Sequence, residues 1–264
     1  MPSDLKKLAA VALAALVLAP SALADPPPAG ITHVQVPPGT PPVEYGKQLF
    51  GANCVTCHGP EGEGIFSRVQ GAGDQTGLGP SLRGVGAIAP DFYLRTGYMP
   101  LDDPYKQPRR SRVLFSEPEI KALVAYVAAL GPGPAIPTPH PERGNLAAGL
   151  QLFTEHCAGC HQVVAEGGYV TGAVAPPLES ATPVQIAEAA RIGPYLMPRF
   201  SEKQISNAQL DSIIGYVTYA KHPDDRGGWA IGHLGPVPEG LVTWFIGIAA
   251  LVVTCMVIGR RLQS

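Results

Sequence analysis

Two pentapeptides carry chemistry in this chain: Cys54-Val55-Thr56-Cys57-His58 and Cys157-Ala158-Gly159-Cys160-His161. Cys-x-x-Cys-His is the attachment signature of c-type haem. Two intervening residues put both sulfurs on one side of a short turn, where each can form a thioether to a porphyrin vinyl group. The next imidazole then faces the iron. A single copy is also compatible with a zinc site, a redox dithiol or a pair of disulfides. Two copies in matching contexts, each followed by a candidate second iron ligand, point to two covalently bound c-type haems. Cys54, Cys57, Cys157 and Cys160 hold them, with His58 and His161 as proximal ligands.

The second ligand is read from the methionines, of which there are four. Met1 initiates the chain and Met256 lies in an apolar run near its end. Met99 and Met197 follow the motif histidines by 41 and 36 residues, and each precedes a proline. The contexts match: Arg95-Thr96-Gly97-Tyr98-Met99-Pro100 and Arg191-Ile192-Gly193-Pro194-Tyr195-Leu196-Met197-Pro198. The proline keeps each segment out of helix. A lone methionine is more often core filler, but a matched pair reads as the distal axial ligands. His/Met ligation fills both axial positions and raises the potential, which suits electron transfer and not the binding of oxygen or peroxide. Arg95 and Arg191 are candidates for haem propionates or, equally, for a solvated surface role. Pro80 and Pro177 are candidates for the loop on the proximal face.

The elements that position these residues repeat as well. Residues 43–53 read as a helix with Tyr45, Leu49 and Ala52 on one face, and residues 146–156 are its counterpart. Gly46-Lys47-Gln48-Leu49-Phe50 matches Gly149-Leu150-Gln151-Leu152-Phe153 at an offset of 103, as the cysteines do. Ser116 and Glu119 form a capping box ahead of Ile120, Leu123, Val124 and Val127 at helical spacing. Ninety residues on, Ser206 and Gln209 repeat the box, followed by Leu210, Ile213, Ile214 and Val217. Tyr126 and Tyr216 also coincide. The expected fold class is all-α, with domains at 43–130 and 146–220. A Pro-rich lead at 25–42 and a stiff Pro-rich linker at 131–145 flank the first domain. The basic loop at 101–112 either docks a partner, packs on the first haem's edge or is simply solvated. His33, His140, His156, His222 and His233 have no ligand spacing and read as structural or surface residues.

The two ends of the chain are apolar. Residues 1–24 read as a signal peptide with two lysines, an Ala/Val/Leu run and a small-residue cleavage site, a retained anchor being the alternative. Residues 241–259 carry no charge and end at Arg260-Arg261. They read as a C-terminal transmembrane helix on a Gly/Pro-rich neck (221–240), with a cytoplasmic tail at 260–264 and the haem domains on the outer side of the cell membrane. A net charge of −2 over 264 residues gives no case for nucleic-acid binding. Of five cysteines only Cys255 lies outside the motifs, so no disulfide framework is expected. The 31 Gly and 29 Pro fit small domains whose loops wrap a cofactor.

An N-terminal helix bearing the haem motif, crossed by a C-terminal helix, is the core pair of class I cytochrome c domains, which this chain resembles twice. The order of parts, the Gly235-Pro236-Val237-Pro238-Glu239-Gly240-Leu241 entry to the membrane and the Pro-Arg-Arg loop resemble a narrower family. It is the dihaem cytochrome c subunit of the actinobacterial menaquinol–cytochrome c reductase, the bcc complex. The resemblance implies that a proline carbonyl orients each axial imidazole. It also implies a relay from a Rieske iron–sulfur protein through both haems to the copper centre of a haem–copper oxidase, with a cytochrome b subunit as a further partner. Some members retain a second, N-terminal span. The chain is then the electron-transfer subunit of an enzyme, with no complete active site of its own. The alternative is a free membrane-tethered dihaem carrier or an oxidase-associated cytochrome. A dihaem peroxidase or a sulfur-compound dehydrogenase needs an open or unusually ligated iron, against which Met99 and Met197 argue.

Overall fold

The computed structural model describes residues 30–66, 77–221, 223 and 236–262. Pro42 opens α1 (Pro42–Asn53), where its missing N–H costs nothing. After Cys54 the chain makes one further turn, α2 (Val55–His58). The helix that crosses α1 is α4 (Glu117–Ala129), which starts at the Ser116/Glu119 capping box. Leu49 and Phe50 of α1 and Ile120, Leu123 and Val127 of α4 are buried together. The crossing is close because Gly46 has no side chain: a Cβ there would overlap the Ala122 carbonyl and lie 2.7 Å from Tyr126 Cβ. Phe50 and Tyr126 then meet at 5.1 Å between ring centroids.

The second repeat is built in the same way. Asn145 caps α5 (Leu146–His156) by accepting from the Ala148 N–H, and Cys157 leads into α6 (Ala158–His161). Gly149 lies against the backbone of Ser212 in α8 (Asn207–Lys221), and Phe153 meets Tyr216 at 5.4 Å. The repeat is therefore one of packing as well as of sequence.

Three elements were not expected. They are α3 (Ile88–Arg95), α7 (Pro183–Ile192) and a two-stranded antiparallel hairpin, β1 (Gly168–Val170) with β2 (Ala173–Ala175), in which Tyr169 faces Val174. Apart from that hairpin the described elements are helical. The Thr182/Gln185 capping box with Pro183 starts α7. No side chain caps α3; the N–H groups of Ala87 and Ile88 donate instead to Pro134 O in the linker. That part of the linker therefore lies along the first domain. Helices α3 and α7 pack on each other and join the two repeats into one compact unit that runs to Val217.

The C-terminal helix α9 (Pro236–Leu262) belongs to the other unit. The eighteen most apolar residues of its stretch Gly240–Leu262 have a mean hydropathy of 2.6, and none of them is buried. Trp244, Phe245 and Leu251 are exposed. Twenty-three such residues are long enough to cross a hydrocarbon core and fit a membrane anchor. The expected signal peptide (1–24) and most of the expected neck (221–240) lie outside the described residues.

Candidate haem sites

Each pentapeptide sits where one helix ends and a single further turn begins. The N–H of His58 donates to Cys54 O at 2.9 Å, and that of His161 to Cys157 O at 2.9 Å. The two imidazoles are held alike: His58 Nδ1 donates to Pro80 O at 2.8 Å, and His161 Nδ1 to Pro176 O at 3.0 Å. A carbonyl only accepts, so Nδ1 carries the proton and Nε2 keeps its lone pair for a metal. Pro80 is as expected. In the second domain the partner is Pro176 and not Pro177, because β2 ends at Ala175 and the next carbonyl is the one beside the ring. Burial pushes both imidazoles down in pKa and the proline carbonyls only partly oppose it, so both rings stay in the neutral, ligating form.

One thiol of each pentapeptide is held protonated by burial. Burial, with the neighbouring Cys57, pushes Cys54 up to about 12. Burial and Cys160 push Cys157 up to about 11. A thiol held that high stays protonated at neutral pH.

In the second domain Cys157, Cys160 and His161 line one crevice together with Met197, against an apolar wall that includes Ile186 and Ile213. Two thiols, an imidazole with a free Nε2 and a thioether in an apolar crevice are the donor set of a c-type haem, and the residues fit that group. In the first domain Met99 and Cys54 pack against the same core cluster. The Met99 N–H donates to Tyr93 O at 3.1 Å.

Sequence reasoning missed what closes the second crevice. Phe92, Tyr93, Tyr98, Gln107 and Arg110, all from the first repeat, line it too. Part of the basic loop, Gln107 to Arg110, lies here. The Gln107 side chain donates to Val174 O at 2.8 Å and accepts from Val174 N at 2.9 Å. Arg110 donates to Ser180 Oγ at 2.7 Å. No local pattern signals a contact between residues some 70 positions apart.

The two arginines considered for propionates have partners within the protein. Arg95 pairs with Asp91 at 2.8 Å and with Glu117 at 2.5 Å. Arg191 donates to Phe200 O, Ile205 O and Asn207 Oδ1. His156 lines the second crevice, edge-on to Phe200, whereas His33 bonds Glu119 and His140 bonds Glu142.

Residues 43–131 match the family described as Cytochrome c, and residues 144–217 the family described as Cytochrome C oxidase, cbb3-type, subunit III. Fold and site thus define a c-type cytochrome of two domains. The chain is 36% identical over 237 residues to the cytochrome bc1 complex cytochrome c subunit of Corynebacterium diphtheriae, covering 83% of this chain and 81% of that one. It is 39% identical over 226 residues to the subunit of the same name from Mycobacterium tuberculosis, covering 82% and 77%. A more distant relative is the cbb3-type cytochrome c oxidase subunit CcoP of Azospirillum sp., 28% identical over 193 residues, covering 65% and 60%. The chain belongs to the family of cytochrome bc1 complex cytochrome c subunits, and its role is electron transfer.

Proposed function

We propose that the chain carries two covalent c-type haems and relays electrons from a Rieske iron–sulfur protein to a haem–copper oxidase, within a menaquinol–cytochrome c reductase that includes a cytochrome b subunit. Cys54, Cys57, Cys157 and Cys160 hold the haems, and the axial pairs are His58 with Met99 and His161 with Met197. A c-type haem with both axial positions filled supplies one-electron iron chemistry with no open coordination position. The chain's own residues do the rest. Pro80 and Pro176 fix the ring orientation of the two histidines, and the apolar crevice walls exclude water. A signal at residues 1–24 exports the chain, and α9 tethers it with Arg260 and Arg261 on the cytoplasmic side.

One observation carries the relay reading. Tyr98 is bonded to Met99, the distal ligand proposed for the first domain, and it also lines the crevice of the second. Its ring stacks on Phe92 at 5.9 Å and meets Tyr93 edge-on at 6.5 Å. The residue next to the first domain's proposed ligand thus lines the second crevice, which supports direct exchange between the two sites.

The test is an absorption spectrum of the tagged protein, purified from native membranes in mild detergent. The expected result is c-type haem at two per chain, with b-type and a-type bands in fixed proportion. One c-type haem per chain would break the dihaem reading. Only c-type haem after gentle extraction would replace the reductase subunit with a tethered carrier.

A further inference from the structure

The contact between the two domains buries an acid that electron transfer does not use. Glu188 on α7 is 0% exposed, and neither of its carboxylate oxygens has a hydrogen-bond partner. Facing it from α3 is Asp91, itself 4% exposed. The cation facing Glu188 is Arg95, also on α3, and its charge is already shared. It pairs with Asp91 through Nε at 2.8 Å and with Glu117 through both terminal nitrogens, at 2.5 and 3.0 Å. The polar group beside them on α7 is Gln185, whose side-chain N–H donates to Arg95 O at 3.4 Å. Two buried carboxylates therefore face one guanidinium that a third carboxylate also engages. Burial without partners and a like charge at close range both disfavour an ionised Glu188.

We infer that Asp91 and Glu188 form a proton-binding site that holds one proton between the two domains, and that its occupancy is linked to the charge of the haem in the second crevice. The second half of this inference rests on the haem reading given above; the first half does not. The linkage follows from position. Gln185, Ile186 and Ala189, on either side of Glu188 along α7, line the second crevice. So do Phe92 and Tyr93 on α3 and Thr96 just past its end, which flank Asp91 and Arg95. When the iron there goes from ferrous to ferric, one electron leaves to its acceptor and one positive charge is added behind this wall. The added charge favours the ionised carboxylate, so the proton is released to water, and reduction takes it back. Burial first, and then Asp91 against the opposing Arg95, pushes the Glu188 carboxyl up to about 8. Glu188 therefore gains and loses its proton not far from neutral pH.

The experiment uses the full-length holoprotein in detergent and reads the infrared carbonyl band of a protonated carboxyl group. The wild type is expected to show the band at pH 7 and to lose it as the pH rises through about 8. Glu188→Gln is expected to lack it throughout. In parallel, the midpoint potential of the second haem falls with rising pH in the wild type and stays flat in Glu188→Gln. A wild type with no such band at neutral pH overturns the proton site. A band whose titration leaves the potential unmoved overturns the linkage. Should Glu188→Gln fail to fold, wild-type protein labelled with carbon-13 glutamate serves instead, and a band that the label does not shift overturns the assignment. The c-type haem count per chain is measured on the same sample, so a failed dihaem reading is recognised separately from a failed proton site.

Discussion

At position 119 the first domain carries a glutamate where the second carries Gln209, and the two capping boxes therefore respond differently to acid. Ser116 donates to Glu119 through its N–H at 2.8 Å and its hydroxyl at 2.7 Å, and His33 bonds the other oxygen at 2.8 Å. In the second box the Ser206 N–H donates to Gln209 Oε1 at 2.9 Å. Burial works to raise the Glu119 carboxyl, but the bonds from His33 and Ser116 outweigh it and hold the group below its ordinary range. A carboxylate depressed in the folded state stabilises above its unfolded pKa, and that stability is lost as the pH falls through the folded value. Glu119→Gln keeps the box and removes the charge. Its expected cost is about 1 kcal/mol at neutral pH, shrinking as the pH drops below about 4, read as denaturant midpoints across that range. A difference that persists in acid would mean that packing and not ionisation sets the effect. The axial ligands can be tested on the same scale. Met197→His is expected to keep the haem covalently attached while lowering its potential, since the thioether favours ferrous iron. An unchanged potential in a redox titration would remove Met197 as a ligand.

Among the elements, two glycines of α1 separate crossing from mere helix. A Cβ at Gly46 meets the Ala122 carbonyl, whereas at Gly51 it meets nothing within 4 Å. Gly46→Ala is expected to cost about 1–3 kcal/mol through overpacking and to reduce haem occupancy in the first domain. Gly51→Ala is expected to be neutral or to stabilise by about 0.5–1 kcal/mol. Thermal unfolding of both variants checks the contrast, and equal effects would move the crossing elsewhere. The crossing helices α1, α4, α5 and α8 were legible because each carries an apolar stripe at helical period, and each starts at a cap or an initial proline as well. Helix α3 was not, for it has eight residues and no side-chain cap, and its first N–H groups depend on Pro134, more than forty positions away. Helix α7 did announce itself through Thr182 and Gln185. Its buried face is largely Ala187, Ala190 and Glu188, too small and too polar to read as a stripe.

For the molecule as a whole, the sequence repeat makes the two domains legible as copies but says nothing about how copies pack. The eight residues proposed to hold the haems could all be named from spacing, because attachment is local chemistry. The wall of the second crevice could not, because its parts come from opposite sides of the linker. That wall yields the last expectation. Burial pushes the Tyr98 phenol up, so the ring stays protonated and neutral, and the role proposed for it is that of a bridge, not an acid. If the bridge matters through its ring, Tyr98→Phe exchanges electrons between the domains as the wild type does, and Tyr98→Leu does so more slowly. Both should keep two haems and unchanged potentials, so the rate after photochemical reduction of one haem isolates the path. Gln107→Ala removes both bonds to Val174 and is expected to loosen the seam by about 1 kcal/mol. If it slows exchange as much as Tyr98→Leu does, the rate is set by how closely the domains are held, and the tyrosine is only part of the wall.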